Sequence, residues 1–285
     1  MNNAKYSHSV GGKTIEITLT NWAEQASGAV LARLGDTTVL ATAVMSPLPR
    51  EGGDFFPLTV EYEEKYYATG KILGSRFVKR ETRPSEEAVL AGRAIDRSIR
   101  PRFDMRVRNE VQVVVTVLSI DDEHDPDVVA MVASSLALGL SDIPWQGPIA
   151  GVRIGRKDNT FIVNPGYAER LGAELDVVVS GTRDRINMIE AGANEVSEEI
   201  FHAAVMEASG YIRDLVAFQE EIIRAHGRAK RSVPLIEAAP ELKALLEQQF
   251  SRPIEDALYQ GDKKISRDML AAVREEWHKE ASGRY

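Results

Sequence analysis

The ten residues EVQVVVTVLS, Glu110 to Ser119, constrain the fold most. They are rich in β-branched side chains and apolar on both faces, which predicts a strand inside a sheet rather than at its edge. An acidic turn follows, and then Asp125 and Pro126 offer a cap and a first helical position. The helix body, VVAMVASSLALGL, is apolar nearly all round and therefore has to be buried. A chain of 285 residues, 44% of them hydrophobic, can supply a core of that size, in one large domain or one domain with a smaller companion.

The neighbouring segments predict more of the same sheet. Thr14 to Thr20 alternates as TIEITLT. Gly28 to Leu34 and Thr37 to Val44 are apolar runs joined by Gly35-Asp36, a hairpin signal. Pro57 to Tyr62, Ile149 to Gly155, Thr160 to Asn164, Leu175 to Gly181 and Ile186 to Ala191 are further strands. A helix is expected from Pro84 and Ser85, with Glu86 and Glu87 at the positive end of its dipole and Pro101 as its stop. Its apolar stripe is Ala88, Ala91, Ile95 and Ile99; Arg93, Arg97 and Arg100 form a second stripe nearly opposite. A long helix runs from near Ser197 towards His226. Pro234 and Pro240 then mark a boundary, beyond which Glu241–Phe250, Ile254–Tyr259 and Ser266–His278 read as short helices without strand signals. The expected class is α/β (α+β): a mixed domain over 1–234 and a small all-α segment over 235–285.

Charge is distributed unevenly. The chain carries −8, yet residues 71–108 hold eleven basic groups against five acids, a net of +6 that leaves −14 for the remainder. Such segregation gives an acidic protein a local positive field. Nine of the eleven are arginines, which suit bidentate contacts to phosphate. Phe77 lies among the charges, where an aromatic ring can stack on an unpaired base. An RNA backbone is therefore one reading of the cluster. A solvated helix face with a basic loop, balanced by the acidic remainder, is the other.

Other constellations carry less. The acidic run Asp121 to Asp127 lacks the spacing and glycine of a calcium loop, and Asp125 and Asp127 are explained by capping. No metal is expected there, and His124 reads as a loop histidine. Asp54 has no identifiable partner for acid–base chemistry. Glycine-rich dinucleotide, phosphate-loop, H-E-x-x-H and G-x-S-x-G motifs are missing, and cysteine is absent, which excludes disulfides and thiolate metal sites. No apolar run is long enough for a bilayer and the first residues lack a signal-peptide pattern, so a cytoplasmic protein is the expectation.

Three stretches carry a family resemblance: DFFPLTVEYEEKYYATGKILGS, then RPSEEAVLAGRAIDRSIRPRF, then NEVQVVVTVLSIDDEHDPDVVAMVASSLAL. Together with the later GPIAGVRIG, LDVVVSGT and INMIEAGA, they resemble the polyribonucleotide nucleotidyltransferases from about Gly11 to the end of the chain. The resemblance implies phosphorolysis of RNA from its 3′ end, with inorganic phosphate in place of water, release of nucleoside diphosphates and a part in mRNA degradation. It implies Mg²⁺ or Mn²⁺ as cofactor in the intact enzyme. It also implies two RNase PH-like domains separated by a helical domain, and a homotrimeric ring around single-stranded RNA. On that pattern 1–234 is the first RNase PH-like domain and 235–285 the start of the helical domain. The second RNase PH-like domain, which in the family holds the phosphate and metal sites, has no counterpart here, so no catalytic residue or tightly bound cofactor is expected in this chain.

The resemblance also assigns residues. A family loop with two phenylalanines and two basic residues grips RNA. Its counterpart is Arg76-Phe77-Val78-Lys79-Arg80, one residue longer, which keeps Phe77, Lys79 and Arg80 and has Val78 in place of a second ring. Arg83, Arg93, Arg97 and Arg100 match basic positions facing the RNA path. Three readings compete: the RNA-binding N-terminal half of a phosphorolytic exoribonuclease, a non-catalytic RNA-binding or scaffold subunit of an RNase PH-type ring, and a structural domain whose arginines serve subunit contacts.

Overall fold

The computed structural model describes residues 4–71 and 83–284. Contacts divide the chain into two units, Met1–Pro234 and Leu235–Tyr285.

The first unit is built on two sheets. The larger takes the order β1 (Lys5–Val10), β2 (Lys13–Leu19), β3 (Gly28–Leu34), β4 (Thr37–Pro49), β6 (Asn109–Ser119), β5 (Leu58–Glu64). All its pairs are antiparallel except β5 with β6. A parallel pair needs a crossover, and α1 (Glu86–Ile99) lies on the path from β5 to β6. The smaller, antiparallel sheet takes the order β10 (Ile186–Ala193), β9 (Leu175–Gly181), β7 (Ala150–Lys157), β8 (Thr160–Val163).

β6 sits inside the larger sheet, between β4 and β5, as its composition requires. Val111, Val113, Val115 and Val117 are wholly buried on one face. The opposite face differs from expectation: Gln112 is exposed and Val114 and Thr116 are half-buried, so one side of β6 faces the core and the other is only partly covered. The all-apolar helix α2 (Pro126–Leu140) is buried at every position from Val128 onward. It touches β3, β4 and β6 of one sheet and β7 of the other, which is why it can be apolar all round. It approaches β3 at Gly28, where a Cβ would collide with the carbonyl of Ala137. Asp125 caps its start by accepting from the Asp127 amide at 3.0 Å. Lys230 closes its end, donating to the carbonyls of Leu138, Gly139 and Ser141 at 2.8, 3.0 and 2.7 Å. A cation there satisfies orphan carbonyls and the negative end of the dipole.

The short α3 (Tyr167–Arg170) packs on β7, and α4 (Glu198–His226) packs on β7 and β9 and reaches β1 and α2. In the second unit, α5 (Pro240–Leu245), a π-helical turn (Leu246–Phe250), α6 (Ser251–Leu258) and α7 (Lys263–Arg284) follow one another, with Leu245, Phe250 and Ala257 buried. No helix among the described residues is long and apolar enough to cross a membrane.

Candidate nucleic-acid interface

α1 is held in place from both ends and along one side. The Ser85 hydroxyl accepts from the Ala88 amide at 3.0 Å, capping the helix, and donates to Glu64 of β5 at 3.0 Å. Ala88, Ala91, Ile95 and Ile99 are buried, as the periodicity predicts, and Gly92 lets the helix lie against Val60 and Tyr62. The Trp145 indole donates to the Ile99 carbonyl at 3.0 Å and seals the C-terminal end.

Between β5, the 3₁₀ turn Tyr66–Thr69 and α1 lies an open cleft of about 900 Å³. Arg83, Arg93 and Arg97 line it, so the fold brings three of the expected arginines to one wall. Arg83 and Arg93 are exposed and have no ion-pair or hydrogen-bond partner among the described residues. Arg97 is also exposed; it reaches across to Glu190 of β10 at 3.2 Å and to the Ile189 carbonyl at 3.3 Å. Acids line the same cleft, but Glu63 pairs with Lys65 at 2.7 Å, Asp96 pairs with Arg100, and Glu64 holds Ser85. The exposed Arg83 and Arg93 are therefore opposed chiefly by Glu61 and Glu64, whose charges no cation among the described residues offsets.

Arg100 lies apart from this group. Its guanidinium makes two 2.5 Å bonds to Asp96 and also donates to the carbonyls of Phe56 (3.3 Å) and Leu58 (3.1 Å). The helical period places Arg100 on the arginine stripe, but the end of the helix meets the loop before β5, and the side chain fastens that loop. The basic residues beyond it behave alike. Arg102 donates to the Gln146 carbonyl, Arg106 pairs with Asp104, and buried Arg108 donates to the carbonyls of Gly53, Asp54, Met105 and Val107. The hydrogen bonds from Arg106 hold the Asp104 carboxyl down at about 2. Phe77, Lys79 and Arg80 lie outside the described residues.

The acidic run is structural where its contacts are seen. Partial burial would raise the pKa of Asp121, but the amides of Glu123, Asp36 and His124 and the His124 ring outweigh it and bring it to about 2. Asp125 pairs with Arg153 and Arg170, and Arg153 also holds Asp176 at 2.6 Å. Sequence reasoning missed these partners, which lie 28 and 45 residues beyond Asp125. Asp127 lies beside this network. Burial, and then the charge of Asp125, push its carboxyl up to about 7. The buried Tyr62 hydroxyl, beside Asp127, is raised well above its ordinary value of 10 by burial and then by the charge of Asp127. No three His, Asp or Glu side chains converge among the described residues, and the best-placed carboxylates already hold arginine or backbone amides. This donor set does not suit Mg²⁺ or Mn²⁺.

Models of the 3′ exoribonuclease family match residues 11–144 (domain 1) and 147–210 (domain 2), which take in the cleft and every strand of both sheets except β1. The chain belongs to the 3′ exoribonuclease family. It is 47% identical over 272 residues to the polyribonucleotide nucleotidyltransferase of Heliobacterium modesticaldum, covering 95% of this chain and 38% of that relative. It is 51% identical over 248 residues to that of Bacillus subtilis, covering 86% of this chain and 35% of the relative. The chain thus spans little more than a third of the length of these curated relatives and corresponds to their N-terminal part. Its fold is shared with rice (Oryza sativa) Rrp46, at a TM-score of 0.58 and 15% identity over 78% of this chain and 95% of that one. An Archaeoglobus fulgidus exosome structure with RNA bound to the active site aligns with a TM-score of 0.57 and 18% identity, over 76% of this chain and 89% of that one. Family membership and the RNase PH-like fold agree with what the resemblance implies.

Proposed function

We propose that this chain is the RNA-gripping N-terminal portion of a phosphorolytic 3′-to-5′ exoribonuclease. The observation that supports it most is the convergence of Arg83, Arg93 and Arg97 on one wall of the β5–α1 cleft. Arginine offers planar, bidentate contacts to phosphate, and contacts to the backbone alone hold a strand of any sequence. Lys79 and Arg80 add phosphate contacts in this reading, and Phe77 stacks on a base. Arg100 serves as the clamp that fixes the end of α1 rather than as a ligand.

In the intact enzyme, phosphate attacks the terminal phosphodiester and a nucleoside diphosphate leaves. The second RNase PH-like domain supplies the phosphate site and binds Mg²⁺ or Mn²⁺, whose role is to neutralise charge on the reacting phosphates. No step of that chemistry runs through the residues described here. The cellular role is mRNA degradation in the cytoplasm, by a homotrimeric ring. The engagement of the acidic run in ion pairs favours a second reading, a non-catalytic RNA-binding or scaffold subunit of an RNase PH-type ring.

The test incubates the purified chain with single-stranded RNA and Mg²⁺, with and without phosphate. The first reading predicts RNA binding without release of nucleoside diphosphates by this chain, and release once the remaining portion of such an enzyme is supplied. Binding without release in both cases supports the scaffold reading. Phosphate-dependent release by the chain alone contradicts the division of labour, and absence of RNA binding at low salt contradicts both readings.

A further inference from the structure

We propose that residues 224–231, the end of α4 and the segment after it, form a second phosphate-contact surface for single-stranded RNA, an inference that rests on the RNA reading above. Residues 222–234 hold four cations, Arg224, Arg228, Lys230 and Arg231, and no acid, in a chain that carries −14 outside 71–108. A basic run of that kind on an acidic protein makes a local field that attracts a polyanion.

The four cations divide as those of the basic window do. Lys230 is engaged with the carbonyls at the end of α2, and Arg231 grips Asp142 through two bonds of 2.9 and 2.7 Å. Arg224 and Arg228 are exposed, and their side chains have no hydrogen-bond or ion-pair partner among the described residues. The helix dipole accounts for a cation at Arg224, in the last turn of α4, but not for Arg228, which lies beyond it. Two of the nearby acids are already held. Hydrogen bonds from Arg231 keep the Asp142 carboxyl below its ordinary range, with the charge of Arg228 adding to the effect, and Glu220 pairs with Arg183 at 3.5 Å. Exposed Glu221, one turn before Arg224, is the acid that opposes the two arginines.

The backbone that carries them is fixed. The Gly227 amide donates to the Ile223 carbonyl at 2.7 Å, and a Cβ at Gly227 would stand 2.5 Å from that carbonyl, so the glycine lets the chain leave the helix there. The Arg228 amide donates to the Leu140 carbonyl at 3.1 Å and the Arg231 amide to the Asp142 carbonyl at 2.8 Å. The His226 ring shares a 2.5 Å hydrogen bond with the Tyr6 hydroxyl of β1. A backbone already placed in the free protein loses little conformational freedom when a ligand docks. β1 is one edge of the larger sheet and β5, beside the cleft, is the other. Five strand spacings, about 24 Å, therefore separate the two basic surfaces. A strand has to cross that span to meet both.

The experiment measures binding of the full chain, across a salt series, to an oligouridylate of about 4 nucleotides, the low end of single-strand site sizes, and to one about ten times as long. Arg224→Ala/Arg228→Ala should lower the magnitude of the slope of log affinity against log salt on the long strand by about 1.4, the value of two phosphate contacts on a single strand. On the short strand, which the cleft holds by itself, this variant should match the parent. Arg224→Lys/Arg228→Lys should keep the parent's slope on both strands, because an ammonium group also neutralises a phosphate. The proposal is overturned if the alanine pair leaves the long-strand slope unchanged, if the short strand loses as much, or if the lysine pair loses as much as the alanine pair. If the parent binds neither strand at low salt, the RNA reading fails and takes this inference with it. Parent binding that the alanine pair leaves untouched overturns this inference alone and leaves the RNA reading standing.

Discussion

Two groups of arginines use the same side chain in opposite ways. Around β7 and α3, Arg153 and Arg170 converge on Asp125, and Arg153 also holds Asp176; side-chain exposure there is 31% or less. On the cleft wall, Arg83 and Arg93 are exposed, without partners among the described residues. The first group fastens the smaller sheet to the start of α2. The second leaves its donors available to a ligand. The boundary between the two kinds runs through the basic window itself: Arg83, Arg93 and Arg97 line the cleft, whereas Arg100, Arg102, Arg106 and Arg108 are engaged with Asp96, Asp104 and loop carbonyls. A count of positive charge therefore overstates the ligand-facing surface.

Substitutions can break this comparison. The largest effect should come from Arg153→Ala, which leaves Asp125 and Asp176 short of a partner in a poorly solvated site. Breaking a pair of that kind costs about 3–5 kcal/mol, read as a lower urea midpoint, with RNA affinity unchanged if the variant is folded. Arg100→Ala should behave as a structural change too, losing about 1–3 kcal/mol because the carbonyls of Phe56 and Leu58 and the Asp96 carboxylate lose their donor. Its salt slope for RNA should equal that of the parent; a flatter slope would move Arg100 into the ligand-facing group.

The next effect is a pH dependence. Asp127 is raised from 3.8 to about 7, so between those values the folded state holds a proton that the unfolded state gives up. Its contribution is present at low pH and is lost as pH rises to about 7. Asp127→Asn should remove that part of the pH dependence, gaining stability relative to the parent at pH 8 compared with pH 5. Thermal melts at the two values check it, and an unchanged difference would contradict it. The smallest effect belongs to Glu190→Gln. Arg97 and Glu190 are each 48% exposed, and such pairs are worth about 0–1 kcal/mol. Releasing Arg97 should raise RNA affinity modestly at low salt and steepen the slope by up to about 0.7, the value of one added phosphate contact on a single strand.

Much of the fold is legible in the sequence because the relevant forces are local. The period of α1 places Ala88, Ala91, Ile95 and Ile99 inside, and the caps Ser85, Asp125 and Ser197 start helices where they were expected. β1 was missed because KYSHSV shows no apolar alternation; its aromatic residues pack instead on α4, His8 stacking on Phe218 and Tyr6 bonding to His226. The smallest helix, α3, was missed because a single turn carries no period. For the site, the clustering of arginines was readable, but their division was not. The Asp96–Arg100 spacing of four hints at a pair, whereas the loop carbonyls that complete the clamp come from more than 40 residues away.

The most direct test of the central claim is the salt dependence of RNA binding by Arg83→Ala/Arg93→Ala, measured on a single-stranded oligonucleotide beside the parent chain. If these two arginines meet phosphates, the magnitude of the slope of log affinity against log salt falls by about 1.4, affinity drops for every sequence tried, and thermal stability stays within about 0.5 kcal/mol of the parent. An unchanged slope would mean that RNA does not meet this wall of the cleft.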